Sequence, residues 1–130
     1  MLGVKSNFAY FNARPMHLYG IPNCDTVKKA RAWLDEHELQ AEFHDYKKQG
    51  VPLDVLKKVA RQLGWEALIN KQGPTWRKQP DSVKTAITSA KTALEFLQAA
   101  PSAIRRPLLE VNGEYHLGFS PGQYEKIFDR

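Results

Sequence analysis

A single cysteine, Cys24, stands in a chain of 130 residues. That count excludes an intramolecular disulfide and any metal site built from several thiolates. Long hydrophobic runs are missing too: no apolar stretch approaches the roughly 18 residues that a membrane-spanning helix requires. The first fifteen residues, MLGVKSNFAYFNARP, carry Lys5 and Arg14 but no continuous apolar stretch, which makes them a poor secretory signal. The sequence has no internal repeat, no low-complexity linker and no signature of an RNA- or DNA-binding module. These absences predict a cytoplasmic protein with no membrane and no nucleic-acid partner. Residues 1–15 are expected to form an N-terminal extension outside the fold, open to disorder.

What is present suits one globular domain, residues 16–130. The chain is 42% hydrophobic and 25% charged, values typical of a soluble domain. Its length allows one ordinary core and not two. The formal net charge is +5, to which KQGPTWRKQ (residues 71–79) contributes three cations and no acid. A basic surface attracts phosphate or small anionic substrates, although charge alone supports no more than a solvated basic face.

The pattern changes period along the chain. MHLYGI (16–21) is short, apolar and aromatic, and is closed by Pro22, which predicts a buried strand. From Asp25, Val27, Ala30 and Leu34 recur at helical spacing, with Lys28, Lys29, Arg31, Asp35 and Glu36 on the other face. Arg31 and Asp35 stand one turn apart and are expected to pair. AEFHDY (41–46) alternates as a second strand, parallel to the first by a right-handed crossover. LDVLKKVARQLG (53–64) places Leu53, Leu56, Val59, Ala60 and Leu63 on one stripe and stops at Gly64. Residues 80–100 read as two short helices. The second is expected to open with a capping box of Thr92 and Glu95, and Leu94 and Leu97 to face the core. RPLLEV, the turn NGE and YHLGF form a hairpin signal, and PGQYEKIF is a final helix that returns Tyr124, Ile127 and Phe128 to the sheet. The order β-α-β, helical insert (about 53–100), β-β-α predicts an α/β chain with a mixed four-stranded sheet of the thioredoxin-like kind.

Cys24 falls where the first strand hands over to the first helix. Free cysteines are mostly buried and inert, but this location favours reactivity. Unpaired amides at a helix N-terminus stabilise an anion, and the thiolate is the nucleophilic form of cysteine. The Thr26 hydroxyl is placed to donate to it, and Asp25 is expected to point outward. Other nucleophile schemes fail on spacing. A phosphatase loop needs an arginine six residues after the cysteine, where Ala30 stands; a dithiol pair needs a second cysteine where Thr26 and Val27 stand. His17, His37, His44 and His116 carry no local catalytic signature and read as structural or surface residues. Trp65 and Trp76 read as core residues.

Three segments in order, YGIPNCDTVKKARAWL, GPTWRK and IRRPLL, resemble the arsenate reductase/Spx family of thioredoxin-like proteins. The run GIPNCDTVKKARAWL…FHDYKKQG is most similar to its YffB branch. The resemblance covers about residues 16–128. It implies that Cys24 is the attacking thiol and that Arg77, in TWRK, is one of the arginines that hold an anion. Arg106, directly before Pro107, matches a second, at a position where such folds usually carry a cis proline. A third arginine is expected where Ser120 stands, and the histidine and asparagine before the family's proline are replaced by Gly20 and Ile21. The two-cysteine switch usual in Spx regulators, which bind RNA polymerase, is absent.

The implied site is therefore Cys24 as nucleophile, with Thr26, Arg77, Arg106 and Pro107 in binding. Fixed arginine charges stabilise a thiolate and bind carboxylates through paired hydrogen bonds, and glutathione carries two carboxylates. The function this implies is a glutathione-dependent thiol–disulfide reductase that works through a mixed disulfide. Glutathione serves as co-substrate with a small-molecule or protein disulfide, and no cofactor or metal is bound. The alternatives are an arsenate reductase, or a non-catalytic Spx-like regulator with RNA polymerase as protein partner.

Overall fold

The computed structural model describes residues 15–130. The expected N-terminal extension, residues 1–15, lies outside the described residues apart from Pro15. Strand β1 (Met16–Gly20) leads through a short loop into helix α1 (Asp25–Glu36), which crosses to β2 (Ala41–Asp45). The two strands are parallel, registered from Met16 with Ala41 to Gly20 with Asp45. Strand β2 ends one residue earlier than its alternation suggests, because the Asp45 carboxylate caps a short helix α2 (Tyr46–Gln49). It accepts from the amides of Lys47 at 2.9 Å and Lys48 at 3.4 Å.

The helical part follows as α3 (Leu53–Leu63), a 3-10 turn (Trp65–Leu68), α4 (Pro74–Arg77), α5 (Asp81–Ala86), α6 (Ala90–Ala99) and a second 3-10 turn (Pro101–Ala103). Helix α3 stops where expected, at Gly64, whose φ of 87° lies in the left-handed region that favours glycine. The chain returns to the sheet as the hairpin β3 (Leu108–Val111) and β4 (Glu114–Leu117), then ends in α7 (Pro121–Phe128). Positive φ at both Asn112 and Gly113 makes the connection a two-residue turn of the I′ kind, whose twist suits a hairpin.

The strand order is β2-β1-β3-β4, with β3 antiparallel to β1. This mixed four-stranded sheet with its helices is the predicted α/β thioredoxin-like fold. Side chains alternate across it. Leu18 and Leu109 face Ala30, Trp33 and Leu34 of α1 and Tyr124 of α7. Tyr19 and Leu108 face the opposite way, onto Leu56, Val59, Leu68, Leu97 and Ile104 of the insert. Among the described residues, no helix is long and apolar enough to cross a membrane.

Three local expectations differ from the structure. Helix α6 begins at Ala90 rather than near Thr92, and its capping box is Ser89 with Thr92. Ser89 Oγ accepts from the Thr92 amide at 3.3 Å, and Thr92 Oγ1 accepts from the Ser89 amide at 3.0 Å. The earlier start adds Ala93 to the face buried by Leu94 and Leu97, while Glu95 is left exposed in mid-helix. Leu63 is 43% exposed, because the stripe of α3 turns away from the core at its last residue. No ion pair joins Arg31 to Asp35; the Arg31 guanidinium lies 4.2 Å from the centroid of the Phe43 ring instead. An exposed pair one turn apart gains only a few tenths of a kcal/mol, whereas a guanidinium over an aromatic face gains about 0.5–1 kcal/mol.

One close approach sets the position of α1. A Cβ built on Gly20 would meet Cγ2 of Val27 at 2.9 Å, closer than real carbons come. Val27 is fully buried and β-branched, so it has little freedom to move aside. Gly20→Ala is expected to destabilise the fold by about 1–3 kcal/mol through overpacking, read as a lower midpoint in urea unfolding with an unchanged slope.

Candidate functional site

The loop from Ile21 delivers Cys24 to the N-cap of α1. The residue is extended, with φ −132° and ψ 126°, and its carbonyl accepts the Lys28 amide at 2.9 Å, the first bond of the helix. An N-cap side chain faces the amides two and three residues on, here Thr26 and Val27. The Cys24 sulfur is half-buried and makes no capping hydrogen bond of standard geometry. The two N–H groups act on it as oriented dipoles.

Several effects compete on the thiol. Burial is the largest single one and raises the pKa. The Val27 amide, the nearby Arg106 guanidinium and the Thr26 amide lower it. Together these three groups prevail, and the Cys24 pKa falls below that of an ordinary thiol. Thr26 acts through its backbone N–H rather than the hydroxyl. The Val27 amide went unnoticed in the sequence. Once Cys24 is placed at the N-cap both amides follow, so the signal was the helix start itself.

Arg106 arrives from the far side of the chain. Tyr19 is registered with Leu108, the first residue of β3, which brings Arg106, two residues earlier, to the same sheet end as Cys24. Its Nη1 donates to the carbonyls of Ser102 at 2.7 Å and Ile104 at 3.3 Å, which fixes the guanidinium. Its Nε is buried with no hydrogen-bond partner among the described residues. The Arg106–Pro107 peptide is cis, as expected from the sequence, and Pro107 is fully buried.

Arg77 has a different setting. It closes α4, is exposed, and its Nη1 donates to the Gln72 carbonyl at 3.2 Å. It is not among the groups acting on Cys24. The structure thus brings Cys24, Thr26, Arg106 and Pro107 to one place and leaves the Arg77 guanidinium engaged in its own loop. Ser120, where a third arginine is expected, is the N-cap of α7; its hydroxyl accepts the Gln123 amide at 3.1 Å. That position supplies no cation.

The remaining candidates have structural surroundings. His37 stacks on Trp33 with centroids 3.7 Å apart. His44 Nε2 lies 2.9 Å from the Gly50 carbonyl, and His17 Nδ1 lies 3.5 Å from Glu42. Burial lowers the pKa of His116. Trp65 and Trp76 pack against the core of the insert, Trp76 edge-on to Phe96 at 5.7 Å. Asp25 is exposed in the first turn of α1, pointing away as expected. Among the described residues, no group of three or more His, Cys, Asp or Glu could hold a metal ion.

A thiolate with a depressed pKa stays nucleophilic to lower pH, and its reactivity is lost as pH falls through that pKa. The alkylation rate of Cys24 by iodoacetamide is therefore expected to titrate with a midpoint below that of a small free thiol. Arg106→Gln should move the midpoint up. Arg77→Gln should leave it in place.

Comparison with known proteins agrees with this architecture. The model of the ArsC family matches residues 19–127. An uncharacterized protein of Haemophilus influenzae is 40% identical over 111 residues, covering 85% of this chain and 96% of its own. The global transcriptional regulator Spx of Listeria innocua is 25% identical over 115 residues, covering 87% of this chain and 86% of its own. Among solved structures, a YffB protein superposes with a TM-score of 0.80 at 42% identity, covering 85% of this chain and 96% of that one. An arsenate reductase (ArsC) related protein from Brucella melitensis gives a TM-score of 0.72 at 42% identity, covering 92% of this chain and 98% of that one. An arsenate reductase from Vibrio cholerae shares the fold at 17% identity. With the β1–α1 cysteine loop and the cis Arg106–Pro107 bond both within the matched segment, the chain belongs to the ArsC family.

Proposed function

We propose that the protein is a glutathione-dependent thiol–disulfide reductase with Cys24 as its nucleophile. The observation that carries this reading is a lone thiol at a helix N-cap with a lowered pKa, facing a fixed arginine. In the first step the Cys24 thiolate attacks the glutathione sulfur of a glutathionylated substrate; glutathione disulfide loads Cys24 in the same way, but the second step regenerates it, so net reduction falls on the glutathionylated substrate. A Cys24–glutathione disulfide forms, and the other sulfur leaves as a thiolate and takes a proton from water. A second glutathione thiolate then attacks the glutathione sulfur of that bridge, releasing glutathione disulfide and restoring the Cys24 thiolate. No second protein cysteine is consumed, in keeping with a chain that has one.

Arg106 serves both halves of the cycle. Its charge stabilises Cys24 as attacking and leaving thiolate, and its unpartnered Nε–H is available to an anionic group of the substrate. Arg77, on a basic loop with Lys71 and Lys78, is proposed to attract the carboxylates of glutathione at longer range. A glutathione-dependent cycle fits the reduced thiol pool of the cytoplasm, the compartment proposed for this activity.

Two other readings have specific support. The similarity to an arsenate reductase related protein favours arsenate as oxidant, but Ser120 leaves the anion one arginine short. The similarity to Spx favours a regulator that binds a protein such as RNA polymerase. In that case the thiol is incidental, and capture of the polymerase should be unaffected by Cys24→Ser.

Incubation with glutathione disulfide is expected to add one glutathionyl group to the wild-type protein by mass, removed again by reduced glutathione. Cys24→Ser should gain none. Arg106→Ala should lower kcat/KM in a glutathione-coupled disulfide assay about 10- to 100-fold, the range of a lost hydrogen bond to a charged group. A wild-type protein that forms no adduct would move the choice to the regulator.

A further inference from the structure

Two buried donors meet at the sheet end that carries Cys24. Gly20 is registered with Asp45, so Tyr46, the next residue, lies beside Ile21. On the other side of β1, Tyr19 is registered with Leu108, the first residue of β3, so Arg106, two residues earlier, lies at the same sheet end. Arg106 reaches the same side of the sheet: its Nη1 donates to the carbonyl of Ile104, which belongs to the buried cluster of Tyr19, Ile21, Tyr46 and Leu108. The contacts agree: the Tyr46 ring stacks on Tyr19 with centroids 6.3 Å apart and 19° between planes, in one apolar cluster with Ile21 and Leu108. The Arg106 charge acts on both the Tyr46 hydroxyl and the Cys24 thiol.

Tyr46 is 1% exposed. Its hydroxyl, like Arg106 Nε, has no hydrogen-bond partner among the described residues. A buried hydroxyl without a partner is a cost that phenylalanine would avoid, so its presence calls for an acceptor. Tyr124 carries a second orphaned hydroxyl, but it lies on the opposite face among Trp33, Phe119 and Phe128, and burial alone acts on it. Tyr46 differs in having a fixed cation as neighbour, itself one donor short. Two donors beside a nucleophile, one of them on a guanidinium, complement the oxygens of a single anionic group.

Building on the reductase reading, we propose that Tyr46 is a specificity-determining residue. Its O–H and the Nε–H of Arg106 together hold one anionic group, a carboxylate or a tetrahedral oxyanion, of the molecule that reacts at Cys24. The carbonyls of Ser102 and Ile104 hold Nη1, so the Nε edge keeps its direction toward the ligand. Tyr46→Phe removes the oxygen and keeps the ring, so thermal stability is expected to stay level or rise.

The test is protection of Cys24 against iodoacetamide by two unreactive probes, S-methylglutathione for the carboxylate source and inorganic sulfate for the oxyanion source. In the wild type at least one probe should slow alkylation. Tyr46→Phe should raise the half-protecting concentration of that probe about tenfold, whereas Tyr124→Phe, which also deletes an orphaned hydroxyl, should leave it unchanged. The probe that protects identifies the source. Equal half-protection in wild type and Tyr46→Phe, an equal loss in Tyr124→Phe, or no protection of the wild type by either probe would overturn the proposal. Glutathione turnover, measured alongside, separates this from the reductase reading. Turnover without any Tyr46 effect on protection sinks the specificity role and leaves the reductase; no turnover with the Tyr46 effect intact does the reverse.

Discussion

The contest between burial and polar stabilisation at the Cys24 sulfur governs the rest of the structure. A half-buried thiol in apolar surroundings would keep its proton. Here the amides of Thr26 and Val27 and the Arg106 guanidinium outweigh burial and favour the anion. They are supplied by two different parts of the fold. The amides come from the first turn of α1. The guanidinium comes from the segment that enters β3.

That balance constrains the packing around it. Helix α1 can present its first-turn amides only if its N-terminus sits close over the end of β1, and the approach of Val27 to Gly20 sets that distance. The parallel β1–β2 pair and the antiparallel β1–β3 pair then bring Tyr46, just after β2, and Arg106, just before β3, to the same end of the sheet. The mixed sheet thereby makes a site from segments far apart in sequence. Ser120, where the resemblance expects a third arginine, is a helix cap instead, so that position supplies no cation.

How legible these features were in the sequence follows from the range of the interactions behind them. The helix at Asp25, the stop at Gly64 and the Asn112–Gly113 turn rest on neighbouring residues and were readable directly. The start of α6 was misplaced because Ser89 and Thr92 offer the same capping spacing as Thr92 and Glu95, and only the burial of Ala93 separates the two. Arg31 was expected to pair within its own helix, but Phe43 on a neighbouring strand offered a better contact. Leu63 fits the apolar stripe of α3 in spacing, yet the core ends before it does. In each case a local pattern allowed two outcomes and tertiary packing chose one.

The sequence by itself determined the fold class, the order of elements, the lone thiol at a helix start and the arginine before a proline, because all of these are written in local periodicity and short motifs. Only the tertiary structure decided which cations reach the thiol. Arg106 does, carried there by strand register and held by two carbonyls, while Arg77 is engaged by the Gln72 carbonyl in its own loop. It also decided that Tyr46, which in sequence is one more aromatic at the end of a strand, keeps a buried hydroxyl with no hydrogen-bond partner among the described residues. Electrostatic coupling depends on distance and burial in three dimensions, and neither quantity is encoded by spacing along the chain.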